Sequence, residues 1–181
     1  TIYPIYKNEE KTHWLIVSGI GRSNAAASTA FLYSYSKASA YTSWINIGIA
    51  GSDKGNYGDL YLVDKISTYQ EKKTSYPLTM PKTTLQKMNL FTSDSPISDY
   101  SAHELIDMEG SAFFDIASKL SSKEFICLMK VISDGPKNNI KDISKSKISN
   151  LIKENLLKII EVISYYERLS EKEIQIVEKP E

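Results

Sequence analysis

Two stretches of the sequence place a carboxylic acid where an active site could use it. "HELIDMEGSAFFDIA", residues 103–117, has Glu109 between a short apolar run and a segment of small and apolar residues. "FICLMKVISDG", residues 125–135, has Asp134 at the end of a longer apolar run. Carboxyl groups at strand ends lie at the edge of an α/β sheet where ligands usually bind, so the two acids together indicate a site. On local evidence alone, helix capping is the better interpretation of each.

The elements that must position these acids alternate between strand and helix patterns. The predicted strands are a hairpin of "IYPIY" and "HWLIVSGIG", then "WINIGIAG", "GDLYLVDKIS" and "EFICLMKVIS", with weaker ones at "MNLFTS" and "HELIDM". Two helices are predicted at "RSNAAASTAFLYSYSK" and "GSAFFDIASKL". Residues 69–87 carry Pro77 and Pro81 without a clear period, which predicts a long connection.

The C-terminal part of the sequence predicts one long amphipathic helix over "KSKISNLIKENLLKIIEVISYYERL". Its expected inward stripe comprises Ile148, Leu151, Ile152, Asn155, Ile159 and Val162. Strands that alternate with helices predict an α/β fold, a three-layer sandwich with a central mixed sheet flanked by helices. The length of the chain fits a single domain over residues 1–181.

The composition excludes several classes of protein. The 22 basic residues balance the 22 acidic ones without a basic patch, so no nucleic-acid partner is expected. The apolar runs are short and interrupted by charges, and no signal peptide opens the sequence, so we expect a cytoplasmic protein without a membrane partner. Cys127 is the only cysteine and lies within an apolar run, which predicts a buried, unreactive thiol.

Several other motifs do not match the functional signatures that they partly resemble. "SGIGRSNAAAS" places Gly19 and Gly21 like a phosphate loop, but the third glycine is missing and a tight strand-to-helix turn is the better interpretation. "HELID" has Asp107 where a zinc-protease helix needs its second histidine. His13 and His103 are the only histidines, and no G-x-S-x-G motif occurs. A histidine-rich metal site and a serine-hydrolase elbow are therefore not available.

Five motifs together resemble one known family. "VSGIGRSNAAAS", "INIGIAGS", "GDLYLVDKI", "IDMEGSAFFDIA" and "MKVISD" occur in the order found in the nucleoside phosphorylase superfamily, and the pattern is most similar to its methylthioadenosine/S-adenosylhomocysteine nucleosidase branch. The resemblance begins at about Trp14 and covers most of the remaining sequence. It implies a nucleoside phosphorylase-like fold, cleavage of the bond between a ribose and its purine, no cofactor, and a homo-oligomer.

The resemblance also implies roles for particular residues. Asp134 would share a proton with the imidazole-ring nitrogen of the departing purine, which requires a raised pKa near neutral pH. Glu109 would stabilise the oxocarbenium-like ribose and hold its hydroxyl groups, with Met108 against the sugar. The other implied substrate-binding residues are Ala50, Gly51, Ser133, Lys130 and Gly21.

Other positions indicate whether water or phosphate attacks the ribose. Asn46 stands where related phosphorylases usually carry an arginine that binds phosphate, which favours water as the nucleophile. Ile49 stands where the family usually has serine or threonine, and the family's opening strand, with its water-activating carboxylate, lies upstream of the matching part. The leading hypothesis is a purine nucleosidase. A phosphorylase and a degenerate member that binds a nucleoside without cleaving it are the alternatives.

Overall fold

The computed structural model describes residues 2–68, 73–138 and 143–177. Its strands are β1 (Ile5–Lys7), β2 (Trp14–Ile16), β3 (Trp44–Gly51), β4 (Leu60–Thr68), β5 (Thr74–Ser75), β6 (Lys87–Thr92), β7 (Leu105–Asp107) and β8 (Ile126–Asp134). Its helices are α1 (Arg22–Ser36), α2 (Gly110–Leu120), α3 (Lys145–Glu154) and α4 (Leu156–Val177), with a turn of 3₁₀ helix at Lys123–Phe125.

Strands β1 and β2 form the predicted hairpin, in which Ile5 lies opposite Ile16 in an antiparallel pair. The polar residues between them make the turn, where the backbone N–H of His13 donates to the Asn8 side chain at 2.9 Å. Strand β2 then leads through Gly19 and Gly21 into α1. The predicted tight strand-to-helix turn is therefore present.

The other six strands form one mixed sheet in the order β5-β4-β6-β7-β3-β8. Strand β3 runs parallel to β8, while β4, β6 and β7 are parallel neighbours. Strands β3 and β7 are antiparallel, as are β4 and β5. The start of β4 also pairs with β8, so the sheet closes on itself.

Apolar cores cover both faces of this sheet. Helices α1 and α2 contribute Leu32, Phe113, Phe114 and Ala117 to the core on one face. Helices α3 and α4 contribute Leu151, Ile159, Val162 and Tyr166 to the core on the other. The predicted three-layer α/β fold with a mixed central sheet is confirmed.

The C-terminal helix differs from the prediction, because it is two helices rather than one. Helix α3 ends at Glu154, and α4 begins at Leu156 after Asn155, whose backbone has φ −98° and ψ 5°. The Asn155 side chain donates to the carbonyl oxygens of Gly58 (2.9 Å) and Leu151 (3.0 Å). A tertiary contact with the loop before β4 thus accompanies the break in the helix.

Two further expectations have clear outcomes. The connection predicted at residues 69–87 contains a two-residue strand, β5, that the sequence did not indicate, and its residues 69–72 lie outside the described part. The Cys127 thiol is 3 % exposed, and burial raises its pKa to about 12, as expected for an unreactive thiol. Among the described helices, none has the length and apolar character needed to cross a membrane.

The contact between Asn155 and Gly58 leads to a stability prediction. Replacing Asn155 with alanine leaves the partly buried Gly58 carbonyl without this donor, so we expect the free energy of unfolding to fall by about 1–3 kcal/mol. Urea unfolding would measure the loss. Asn150→Ala is the control, because Asn150 is exposed on α3 and alanine favours helix. Equal stability of the two variants would contradict the prediction.

Candidate active site

A buried ion pair underlies the candidate site. Lys130 in the middle of β8 places its Nζ 2.7 Å from Oδ2 of Asp107, and the two side chains are 1 % and 0 % exposed. The other oxygen of Asp107 accepts from the Thr92 hydroxyl at 2.7 Å, and Oδ2 also accepts from the backbone N–H of Gly110 at 2.8 Å. The pair therefore joins β6, β7, β8 and the start of α2.

Strand β3 passes close to this pair at a glycine. A Cβ atom on Gly48 would lie 3.0 Å from the Lys130 Nζ, which is closer than ordinary van der Waals contact. The absence of a side chain at Gly48 therefore leaves room for the buried ammonium group. Lys130, expected to bind substrate, has its ammonium group paired with Asp107.

Glu109 lies between Asp107 and Gly110, which are hydrogen-bonded to each other, and precedes the first turn of α2. Its side chain does not cap α2. Instead, Oε1 accepts from the backbone N–H of Gly21 at 2.5 Å, at the start of α1. Gly21 has φ +97°, a conformation that side-chain-bearing residues rarely adopt. The carboxylate is thus held at a helix N-terminus, where the helix dipole favours negative charge.

Asp134 ends β8 and is 4 % exposed. Its Oδ2 accepts from the Tyr100 hydroxyl at 2.7 Å, and its Oδ1 accepts from the Ser133 hydroxyl at 2.5 Å. The Ser133 hydroxyl also lies 3.4 Å from the carbonyl oxygen of Ala50 on β3. Both carboxylate oxygens of Asp134 therefore have hydrogen-bond donors from the protein.

Gly51 lies beside Asp134 in the register of β3 and β8. A Cβ atom there would stand 2.6 Å from the Asp134 Oδ2 and would collide with the ring of Tyr100. Glycine is thus the residue that lets the strand, the carboxylate and the phenol approach one another. This close approach gives a physical reason for the glycine in "GIAG".

The sequence analysis did not identify Tyr100. It lies in the loop between β6 and β7 and packs with Phe91 and Ile106. Burial raises the pKa of Tyr100, and its hydrogen bond to Asp134 and the charge of that carboxylate raise the pKa further. The phenol therefore stays protonated at neutral pH and donates. Loop residues 93–104 have no periodic pattern, so only the tyrosine among polar neighbours could have suggested a site residue.

The structure brings the two acids together at one cavity of about 1150 Å³. The predicted site residues that line it are Ala50, Gly51, Met108, Glu109, Lys130, Ser133 and Asp134. Gly21 is not part of the lining and reaches the site through its hydrogen bond to Glu109. Pro96 and Tyr100 contribute to the wall from the loop after β6.

The arginine at the start of α1 and the two histidines have the following contacts. Arg22 places a guanidinium nitrogen 3.4 Å from Asp94 at the surface. His13 lies 3.5 Å from Glu167, and His103 stacks on Phe91 with 3.8 Å between ring centroids. Within the described ranges, no group of three or more His, Cys, Asp or Glu side chains has an arrangement that could hold a metal ion.

Comparison with known proteins defines the class of fold. No family model matches the chain, and none of the curated protein sequences matches it. Solved structures do match: 5′-methylthioadenosine/S-adenosylhomocysteine nucleosidase from Campylobacter jejuni is 18 % identical, with a TM-score of 0.64 over 88 % of this chain and 89 % of its own. The fold is therefore the nucleosidase fold that the motifs predicted.

Two further nucleosidase structures have bound ligands. The enzyme from Neisseria meningitidis, in complex with methylthio-immucillin-A, is 16 % identical, with a TM-score of 0.62 over 82 % of this chain and 80 % of its own. The enzyme from Colwellia psychrerythraea, in complex with adenine, is 17 % identical, with a TM-score of 0.57 over 77 % of this chain and 75 % of its own.

The buried ion pair leads to a second prediction. Replacing Lys130 with methionine leaves the Asp107 carboxylate buried without its counter-charge, so we expect the free energy of unfolding to fall by about 3–5 kcal/mol. Urea unfolding would measure it. In the double variant with Asp107→Asn, the loss should be smaller than the sum of the two single losses, because the residues interact directly. Additive losses would show that the pair is not coupled.

Proposed function

We propose that this protein cleaves the N-glycosidic bond of purine nucleosides with water. The observation that carries the proposal is the meeting of Glu109 and Asp134, from different elements, in one cavity at the ends of β7 and β8. Ligands of α/β proteins commonly bind at such strand ends. The likeness in fold to nucleosidases, one in complex with adenine, supports a purine nucleoside as the ligand.

Asp134 is the proposed acid for the leaving purine. A purine leaves poorly as an anion, so a proton shared with its imidazole-ring nitrogen lowers the barrier to cleavage. Asp134 lies in a buried setting, with hydroxyl groups on both carboxylate oxygens that fix its orientation. Ser133 would orient one oxygen of Asp134 while the other meets the base.

Glu109 is the proposed stabiliser of the sugar. As the glycosidic bond breaks, the ribose gains oxocarbenium character, and a fixed carboxylate nearby lowers the energy of that charge. The hydrogen bond from Gly21 holds one oxygen of Glu109 in place. Met108 lines the cavity beside it and would pack against the sugar.

Water is the proposed nucleophile rather than phosphate. Asn46 lies where related phosphorylases place an arginine, and an amide cannot offer the positive charge that a phosphate needs. Its Oδ1 is buried and has no hydrogen-bond partner in the described structure. Phosphate binding therefore has no support at this position.

One observation favours a second candidate, a protein that binds a nucleoside without cleaving it. The hydroxyl of Tyr100 already donates a hydrogen bond to Asp134, and the Tyr100 ring lies over Gly51, where a purine would need to approach. If this arrangement persists with a ligand present, Asp134 cannot reach the purine. Binding and cleavage must therefore be measured separately.

The test is release of base, followed by chromatography, from methylthioadenosine, S-adenosylhomocysteine, adenosine and inosine, each with and without phosphate. We expect release without phosphate. Asp134→Asn and Glu109→Gln should each lower the rate by about 10²–10⁴-fold, because each removes a group that acts on the reacting atoms. Glu161→Gln, an exposed change on α4, is the matched control.

The outcomes separate the candidates. Release that depends on phosphate would identify a phosphorylase instead. Binding of these nucleosides by calorimetry without any release would favour the non-catalytic candidate. An unchanged rate in Asp134→Asn would remove that residue from the mechanism.

We also propose a cytoplasmic homo-oligomer, as the family resemblance implies. Ala27 and Ala30 are exposed on α1, and Tyr35 of the same helix is 50 % exposed, so this helix offers a surface for close packing. We expect light scattering after gel filtration to give a multiple of the 20.4 kDa chain mass. A monomeric mass at the concentration used for the activity assay would contradict the proposal.

A further inference from the structure

Tyr100 is the one buried residue of an otherwise polar loop. The loop between β6 and β7 comprises residues 93–104, "SDSPISDYSAHE", all of which the structure describes. Tyr100 is 6 % exposed, whereas the other residues of the loop are half-buried or exposed. Its side chain enters the candidate site at the ends of β3 and β8. A surface loop thus places one aromatic ring inside the protein.

Two contacts define the place of the Tyr100 ring, which we call the aromatic subsite. The hydroxyl donates to Oδ2 of Asp134 at 2.7 Å, and the edge of the ring lies against Gly51, where a side chain would collide with it. Phe91 and Ile106 belong to the same apolar cluster as the ring. The aromatic subsite therefore takes a flat ring beside a glycine and apolar side chains, with a hydrogen-bond donor directed to a carboxylate.

Among the described residues, the middle of this loop makes one hydrogen bond to the rest of the protein. It is the bond from Tyr100 to Asp134, within residues 95–102. The ends of the loop have anchors of their own, because the N–H of Ser93 donates to a carbonyl of β7 at 2.8 Å and Glu104 accepts from an N–H of β6 at 2.6 Å. The position of the middle of the loop therefore depends on how firmly the aromatic subsite holds the ring.

The oxygen that holds Tyr100 is the oxygen that a base would use. Ser133 donates to Oδ1 of Asp134, so Oδ2 is the oxygen that meets the purine under the proposed function. A purine is also a flat aromatic ring, and a protonated nitrogen of its imidazole ring donates to a carboxylate as a phenol does. The phenol and the base need the same acceptor and the same space, so only one of them can be bound at a time.

We propose that Tyr100 is an internal ligand of the aromatic subsite, and that a free flat aromatic molecule with an N–H or O–H donor binds by replacing it. That the natural molecule is a purine rests on the proposed function, whereas the exchange of one ring for another uses only the contacts of Tyr100. The loop then has two positions, with the phenol inside the subsite or outside it. A ligand binds only the second position, so it shifts the loop towards that position.

An internal ligand and an ordinary wall residue have opposite effects when they are removed. A wall residue that contacts the ligand strengthens binding, so its loss weakens binding. An internal ligand competes, and its loss strengthens binding, because the apparent dissociation constant is the intrinsic constant divided by the fraction of molecules with an open subsite. The sign of the change in affinity therefore distinguishes the two roles of Tyr100.

The first experiment supplies the phenol from solution. Tyr100→Ala removes the ring and leaves a cavity, and p-cresol, the side chain of tyrosine without its backbone, is added to the full chain. Small aromatic molecules bind in such cavities. We expect the melting temperature of the variant to rise by about 3 °C or more at ten times the dissociation constant of p-cresol. The wild type should rise far less, because its subsite is filled. Tyr6→Ala is the matched control, because Tyr6 is 59 % exposed and its loss leaves no cavity.

The second experiment measures the binding of adenine by calorimetry. Tyr100→Phe keeps the ring but cannot donate to Asp134, so the closed position of the loop loses a hydrogen bond to a carboxylate. We expect adenine to bind this variant at least about tenfold more tightly than it binds the wild type. Tyr6→Phe, the control at an exposed tyrosine, should bind adenine as the wild type does.

The proposal fails if p-cresol does not stabilise Tyr100→Ala, or if adenine binds the wild type and binds Tyr100→Phe no more tightly. If adenine binds neither protein while p-cresol stabilises Tyr100→Ala, the internal ligand is supported and the purine of the proposed function is contradicted. Should the alanine variant not fold, p-cresol is titrated into Tyr100→Phe and the wild type. Tighter binding to the variant then supports the proposal, and equal binding contradicts it.

Discussion

The ion pair of Lys130 and Asp107 is the constraint on which the site depends. Taking both charges out of water is costly, and the cost is offset only when the pair is close and the remaining hydrogen-bonding capacity is used. Here the partner groups of Asp107 come from Thr92 and Gly110 as well as from Lys130. Meeting these requirements fixes the ends of β6 and β7, the middle of β8 and the first turn of α2 relative to one another.

The two acids of the site stand in different surroundings as a result. Glu109 follows the fixed residues of β7 and accepts from a backbone N–H at the start of α1. Asp134 lies further along β8 than Lys130 and accepts from two hydroxyl groups. The backbone N–H beside Glu109 is a fixed dipole, whereas the hydroxyl groups beside Asp134 can rotate. This difference matches the separate roles proposed for the two carboxyl groups.

The sequence predicted the parts of the structure that depend on local patterns. Strands β3, β4 and β8 are strongly apolar, and helices α1 and α2 begin near where their composition changes. The break at Asn155 was not predicted, because it accompanies a hydrogen bond to Gly58, far away in the chain. The partner of Lys130 was not predicted either, since helical or strand periodicity contains no information about which buried charges meet. Motif resemblance predicted Glu109 and Asp134 as site residues, and both line one cavity in the fold.

The position of Tyr100 has a consequence for any molecule that enters the site. Its ring fills the space over Gly51, and its hydroxyl donates a hydrogen bond to Asp134. A ligand that contacts Gly51 or Asp134 must therefore first displace the loop between β6 and β7. The measured dissociation constant is then the intrinsic constant divided by the fraction of molecules whose loop is already open. Sequence changes in that loop can therefore change the affinity for a ligand that they do not contact, because they change the fraction of molecules whose loop is open.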